Sequence, residues 1–269
     1  MSQFVPWAQD GWCGHVDPAL AGDVTRCLAL AASGEGRRSR HARTAALVTA
    51  AGTVFVKSYP APAGWRAERA FRMGAALTAV GLGAPEAVLL GRRGREGLLV
   101  TRDVGGMELM AAVAEVRAPE RRGQKRALLR GLGAAVGRLH DLGFVHGDLV
   151  PSNVRVRAGE IVFLDHDRTR RAALLVWFGG RRNLVQLGRF VVAGVTATDR
   201  ARVLAGYAAV RGLSPAVRRR LVRWVVAKTI VRRCAIDGIA PEAARRAGFR
   251  EVMRSGGPFD PARRSGRAA

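Results

Sequence analysis

Residues 139–168 read LHDLGFVHGDLVPSNVRVRAGEIVFLDHDR, and the rest of the chain is interpreted outward from them. His146-Gly147-Asp148-Leu149 is followed by Asn153, and a second acid, Asp165, ends the apolar run Ile161-Val162-Phe163-Leu164. A His-x-Asp alone says little, since such a histidine can be a hydrogen-bonded core residue. An Asp, an Asn five positions on and an Asp at the end of a separate strand is more selective. The first carboxylate orients or deprotonates an acceptor hydroxyl, while the amide oxygen and the last carboxylate hold Mg²⁺. The pattern predicts phosphoryl transfer from a metal nucleotide, with Asp148 and His146 in the catalytic loop and Asn153 and Asp165 as metal ligands.

A second constellation lies upstream. Lys57 ends the strand-like run Val54-Phe-Val-Lys57-Ser-Tyr59, where burial is costly unless the ammonium meets a phosphate or a carboxylate. Glu68 follows eleven residues later on a predicted helix. A strand lysine paired with a helix glutamate is how kinases hold the inner phosphates of the nucleotide, so Lys57 and Glu68 are read as that clamp. Other motifs carry no such chemistry. Gly131-Leu-Gly133-Ala-Ala-Val-Gly137 falls inside a helical pattern and is read as packing. His140 and His166 lack metal-ligand company and are read as structural.

The periodicities give an α+β chain in two lobes with a boundary near residue 103. Residues 1–30 form a lead-in strand or helix, and Gly34–Thr44 a basic loop. Runs 45–49 and 53–56 make a hairpin turning at Gly52, residues 65–80 an amphipathic helix, and 86–90 and 97–101 two further strands. The N-terminal lobe, residues 1–103, is thus a small antiparallel sheet carrying one helix. The C-terminal lobe, 104–269, is mainly helical, with helices expected over 107–116, 124–142, 181–193, 198–211, 215–234 and 241–254. A hairpin turns at Ala158-Gly159, and a disordered tail begins near Gly256.

Composition narrows the class. Hydrophobic content of 48% suits a globular chain, and 269 residues can bury a substantial core. A formal charge of +24 attracts polyanions, whether nucleic acid, anionic headgroups or phosphorylated glycolipid. Lysine occurs only three times among the 45 cations, and with heavy Ala and Gly usage this has the look of GC-rich coding bias. No aromatic run accompanies the arginines, which argues against nucleic acid as partner. Three cysteines without metal spacing suggest reduced thiols. With no signal peptide and no apolar run of membrane-spanning length, a cytoplasmic protein is expected, with peripheral contact to an anionic leaflet through its basic surface.

Taken in order, Val54–Tyr59, Leu77–Pro85, Leu139–Leu149, Asn153, Leu164–Arg168 and Arg182–Leu187 resemble the lipopolysaccharide kinase (Kdo/WaaP) family, relatives of the protein-kinase fold. The resemblance covers roughly residues 38–235. It implies a bilobal protein-kinase-like fold and a cytoplasmic enzyme that uses ATP and Mg²⁺ to phosphorylate a heptose or Kdo hydroxyl of the lipopolysaccharide core. On that pattern Lys57 holds the α- and β-phosphates, Glu68 orients it, Asp148 is the base, and Asn153 and Asp165 hold Mg²⁺. Arg168 becomes a structural partner of Asp167. The chain departs from protein kinases in three ways. No glycine-rich loop precedes Lys57, so Arg40 or Arg43 is expected to cover phosphates; Val150 stands where a γ-phosphate lysine is usual; and Asp165-His-Asp replaces Asp-Phe-Gly. Two other readings stand beside this one: an aminoglycoside- or choline-kinase-like phosphotransferase, and a pseudokinase or polyanion-binding module.

Overall fold

In a computed structural model of the chain, residues 4–260 and 262 are described. They fall into two compact units: the chain up to Gly105 together with Val162–Thr169, and Gly106–Ile161 together with the chain from Arg170 onward.

The first unit opens with β1 (Val5–Gln9) and β2 (Trp12–Val16), followed by α1 (Val24–Ser33). Next come β3 (Arg37–Arg38), β4 (Arg43–Thr49), β5 (Gly52–Tyr59), α2 (Trp65–Ala79), β6 (Ala87–Arg93) and β7 (Glu96–Arg102). The seven strands make one antiparallel sheet in the order β1-β2-β6-β7-β5-β4-β3, with Pro6 in one edge strand and only Arg37 and Arg38 in the other. Side chains alternate across a strand, so each face has its own core. Val54 and Val56 of β5 pack with Val24, Cys27 and Leu28 of α1, whereas Tyr59 packs with Ala67 and Ala70 of α2. Each fully buried Val or Leu contributes about 1.5–3 kcal/mol. Lys57, in phase with Tyr59, therefore projects on the α2 face.

The strand, strand, helix, strand, strand order matches the sequence reading. The N-terminal hairpin did not emerge from it, although Gln9-Asp10-Gly11-Trp12 carries the signal. Asp10 and Gly11 both take positive φ, 51° and 76°, as a tight two-residue turn requires. A second difference concerns Val162–Thr169, which belongs with the first unit. The amide of Phe163 donates to the Gly83 carbonyl at 3.0 Å, and Val162 bridges Gly83 in parallel. Asp165 thus lies in the same unit as Lys57.

The second unit contains β8 (Met107–Glu108), α3 (Leu109–Glu115), α4 (Arg122–Asp141), β9 (Phe144–Val145), β10 (Val154–Arg157) and the start of β11 (Glu160–Phe163). After the excursion into the first unit come β12 (Arg170–Arg171), α5 (Ala173–Gly188), α6 (Ala197–Val210), α7 (Pro215–Asp237), α8 (Pro241–Arg246) and α9 (Phe249–Val252). α5 starts eight residues before the expected 181, because the run Ala173–Phe178 is apolar all round and shows no helical period. The helix expected over 241–254 is broken at Ala247-Gly248. Gly256–Asp260, expected to be disordered, is folded: the Gly256 amide donates to the buried Asp260 carboxylate at 2.7 Å. The remainder of the expected tail lies outside the described residues, save Ala262. No described helix is long and apolar enough to cross a membrane. Among the described residues the cysteines are free, and burial pushes the Cys27 thiol up to about 11.

α4 and α6 cross at glycine. A methyl on Gly133 would lie 1.9 Å from the Val203 carbonyl oxygen, and one on Gly206 2.2 Å from that of Arg130. Of the Gly131–Gly137 motif, Gly133 and Gly137 are helix packing, as the place of the motif in the sequence indicated, while Gly131 is open. Gly133→Ala is expected to destabilise the protein by about 1–3 kcal/mol through forced separation of the two helices. Gly131→Ala, which meets nothing within 4 Å, should be neutral or stabilising by up to about 1 kcal/mol from helix propensity. Urea unfolding of both variants tests the pair; equal effects would contradict it.

Candidate active site

Lys57 lies near the end of β5, among acids. Its ammonium lies 2.5 Å from Oδ1 of Asp165 and 4.0 Å from Oδ2 of Asp167, over the Tyr59 ring at 5.2 Å. The Lys57 side chain is 16% exposed, so this is a largely desolvated ion pair rather than a surface contact. Asp165 takes a left-handed backbone, φ 61° and ψ 71°, which among residues with side chains Asp and Asn tolerate best. This geometry turns its carboxylate out of the strand direction at the end of the Ile161–Leu164 run. Burial and the neighbouring Asp165 push the Asp167 carboxyl up from the usual range, opposed by Lys57 and Arg66. Burial and the same two carboxylates hold the Tyr59 phenol well above its ordinary value.

Glu68 does not join the cluster. It is exposed in the first turn of α2, where a negative charge suits the helix dipole. The face that α2 buries is Ala67, Ala70, Gly74 and Leu77. The charged residue that α2 turns inward is Arg66, whose Nη1 lies 3.5 Å from Oδ2 of Asp167. At about 100° per residue, Glu68 projects roughly 200° around the helix from Arg66. Nor does Arg168 pair with Asp167: Arg168 is exposed, and Arg66 takes the place assigned to it.

Arg43 is likewise displaced from its expected role. It pairs across the sheet with Ser58, so it shares the α1 face, opposite Lys57, and donates to the Gly34 carbonyl. Arg40 is exposed, and both arginines line an outer cavity of about 640 Å³ beside α1 and Trp12. Arg43 thus sits on the strand face opposite Lys57, engaged with the Gly34 carbonyl.

The loop His146–Asn153 is built in the second unit from amide and imidazole contacts. The amide N–H of His146 donates to Oδ1 of Asn183 at 3.0 Å, and the Asn183 amide nitrogen donates to the His146 carbonyl. Gln186 receives the Leu149 N–H and donates to the Gly147 carbonyl, both at 3.3 Å. His146 is fully buried, and its Nδ1 accepts the Asp148 N–H at 3.2 Å. These bonds brace the loop that carries Asp148. The amide nitrogen of Asn153 donates to the Asp148 carbonyl at 2.9 Å, which fixes the orientation of its amide group. Asp148 itself remains part-exposed.

Behind this loop stands His140. Its Nε2–H donates to Asn183 at 3.1 Å, and Nδ1 accepts from the Tyr207 hydroxyl at 3.1 Å. Burial lowers its pKa to about 4, so the imidazole is neutral, as both bonds require. His166 is also structural: Nε2–H donates to the Phe163 carbonyl at 2.8 Å and Nδ1 accepts from Thr169 at 3.2 Å. Asn183 and Gln186 escaped assignment as site residues. Their three-residue spacing on one helix face is the signal that could have marked them.

A sheet lysine set against the acid that ends a later strand, with an Asp loop pinned by its own asparagine, is the arrangement of protein-kinase-like phosphotransferases. The crystal structure of an aminoglycoside-3'-phosphotransferase of type VIII shares the fold, with a TM-score of 0.51 and 21% identity over 70% of this chain and 90% of that one. The chain belongs to the lipopolysaccharide kinase (Kdo/WaaP) family, whose model matches residues 35–207. Short stretches are similar to other proteins. A probable bifunctional tRNA threonylcarbamoyladenosine biosynthesis protein of Methanothermobacter thermautotrophicus is 36% identical over 69 residues, 26% of this chain and 11% of that protein. The EKC/KEOPS complex subunit bud32 of Aspergillus oryzae is 48% identical over 40 residues, 15% of each. The KEOPS complex subunit Bud32 of Pyrococcus abyssi is 40% identical over 42 residues, 16% of this chain and 19% of that one. The chain therefore spans less than a fifth of the length of these relatives.

The depressed pKa of His140 makes stability pH-dependent. Unfolding returns the imidazole to its ordinary value of 6.5, so its contribution is full above pH 6.5 and is lost as pH falls towards 4. The loss is on the order of 3 kcal/mol. Urea titrations should show the stability gap between wild type and His140→Gln narrowing by that order from pH 6.5 to pH 4, while a constant gap would refute the assignment.

Proposed function

We propose that the protein is an ATP- and Mg²⁺-dependent kinase acting on a sugar hydroxyl, of heptose or Kdo, in the lipopolysaccharide core or a related glycolipid. The observation that carries phosphoryl transfer is the Lys57–Asp165 ion pair at 2.5 Å, a partly enclosed ammonium stored on a carboxylate that a metal would claim. The acceptor class rests on membership of the Kdo/WaaP family. A charge of +24 favours an acceptor that is itself anionic, such as a phosphorylated glycolipid at an anionic membrane surface, on the cytoplasmic side where ATP is available.

The donor set fits Mg²⁺. Asp165 offers a carboxylate and Asn153 an amide oxygen, both hard ligands, and Mg²⁺ usually completes its shell with phosphate oxygens and water. When bound, the ion would neutralise charge on the phosphates. Lys57 would hold the α- and β-phosphate oxygens. Asp148 would accept the proton of the acceptor hydroxyl as its oxygen forms the new P–O bond and the bond from phosphorus to the β-phosphate oxygen breaks, releasing ADP. Catalysis of this kind is chiefly positioning and charge neutralisation.

Transfer of labelled γ-phosphate to purified core oligosaccharide should require Mg²⁺ and should fall about 10²–10⁴-fold in Asp148→Asn. Asp165→Ala should abolish the thermal shift given by MgATP. Label transferred to cationic aminosugars instead would replace the acceptor assignment, and no nucleotide binding at millimolar ATP would sink the kinase reading.

A further inference from the structure

Asp167 has no part in the chemistry just assigned, yet it is the more enclosed acid of the pair. Its side chain is 9% exposed against 35% for Asp165. A carboxylate so buried needs cationic partners, and it has two on the same oxygen: Arg66 at 3.5 Å and Lys57 at 4.0 Å. Arg66 is itself largely enclosed, with 14% of its side chain exposed. α2 packs directly on the His166–Arg168 turn that carries Asp167.

Lys57 has two carboxylates to choose between, and they differ in availability. Asp165, nearer and more exposed, is the one a metal would engage. Once it does so, its charge is shared with the cation and it no longer holds the lysine alone. Asp167 is then the remaining anion beside the ammonium, and its location is set by Arg66.

We infer that Arg66 is a positioning residue for Lys57, acting through Asp167. This rests on the kinase reading. The usual link between helix and lysine is reversed in sign: the helix supplies a cation, and the turn after β11 supplies the carboxylate that a helix glutamate would otherwise provide. The arrangement explains how the chain can leave Glu68 in solvent and still couple α2 to the phosphate-binding lysine.

The test measures MgATP affinity by calorimetry, with thermal unfolding as a check on folding. Arg66→Met is expected to weaken MgATP binding about tenfold. Arg66→Lys should recover most of the loss, and Glu68→Gln should bind within about twofold of wild type. The reciprocal exchange Arg66→Asp with Asp167→Arg keeps an ion pair but sets a guanidinium beside Lys57. It should fold and fail to restore affinity, whereas restored affinity would reduce the pair to a structural bridge and overturn the inference. Should Arg66→Met fail to fold, Arg66→Gln takes its place. If wild type binds MgATP, Asp165→Ala does not and the Arg66 variant binds like wild type, the positioning role is wrong and the kinase reading stands. If wild type binds no MgATP, both fall together.

Discussion

An ammonium group at the end of a buried strand has to be neutralised, and much of the first unit follows from that requirement. Lys57 shares the face of β5 on which Tyr59 packs against α2, so water cannot fully solvate it. The anions come from the one segment that the chain returns to this unit, Val162–Thr169, tied by Phe163 to Gly83. A left-handed residue at Asp165 then brings two carboxylates, separated by one residue, onto a single lysine. Backbone conformation, burial and charge are solved together there. Removing any one leaves an unpaired charge in a poorly solvated place, which costs more than the pair itself contributes.

The second unit solves a different problem. Its loop must expose one carboxylate while keeping the backbone around it fixed. The side chains that do this are neutral amides: Asn183 and Gln186 bond N–H and C=O groups of His146, Gly147 and Leu149, and His140 in turn holds Asn183. Buried amides suit this work because each supplies a donor and an acceptor at a set distance. The backbone beside Asp148 is thereby fixed by amides that add no charge of their own.

How much of this could be read from the sequence depends on whether the information was local. The loop Asp148–Asn153, the acid at Asp165 and the strand lysine at Lys57 are patterns with fixed spacing, and they gave the candidate site. The order β4, β5, α2, β6, β7 followed from periodicity, whereas β1, β2 and α1 did not. The partner of Lys57 did not, because a helix carries both Arg66 and Glu68 in its first turn and only packing decides which faces inward. Charge logic favoured the glutamate; the buried stripe Ala67–Ala70–Gly74–Leu77 turned the helix the other way. Arg43 was misplaced for a similar reason, since the face of a strand is known only once its register is known. α5 was shortened because an apolar run hides its own period.

The two edges of the seven-stranded sheet have a consequence for the protein's behaviour in solution. An open sheet ends in unpaired N–H and C=O groups, which invite a strand from another molecule. Here β1, one edge, contains Pro6, which has no N–H to offer, and β3, the other, is two arginines long. An incoming strand would meet a missing donor on one side and guanidinium charge on the other. Both edges of the sheet thus carry a chemical feature that disfavours edge-to-edge pairing with another strand.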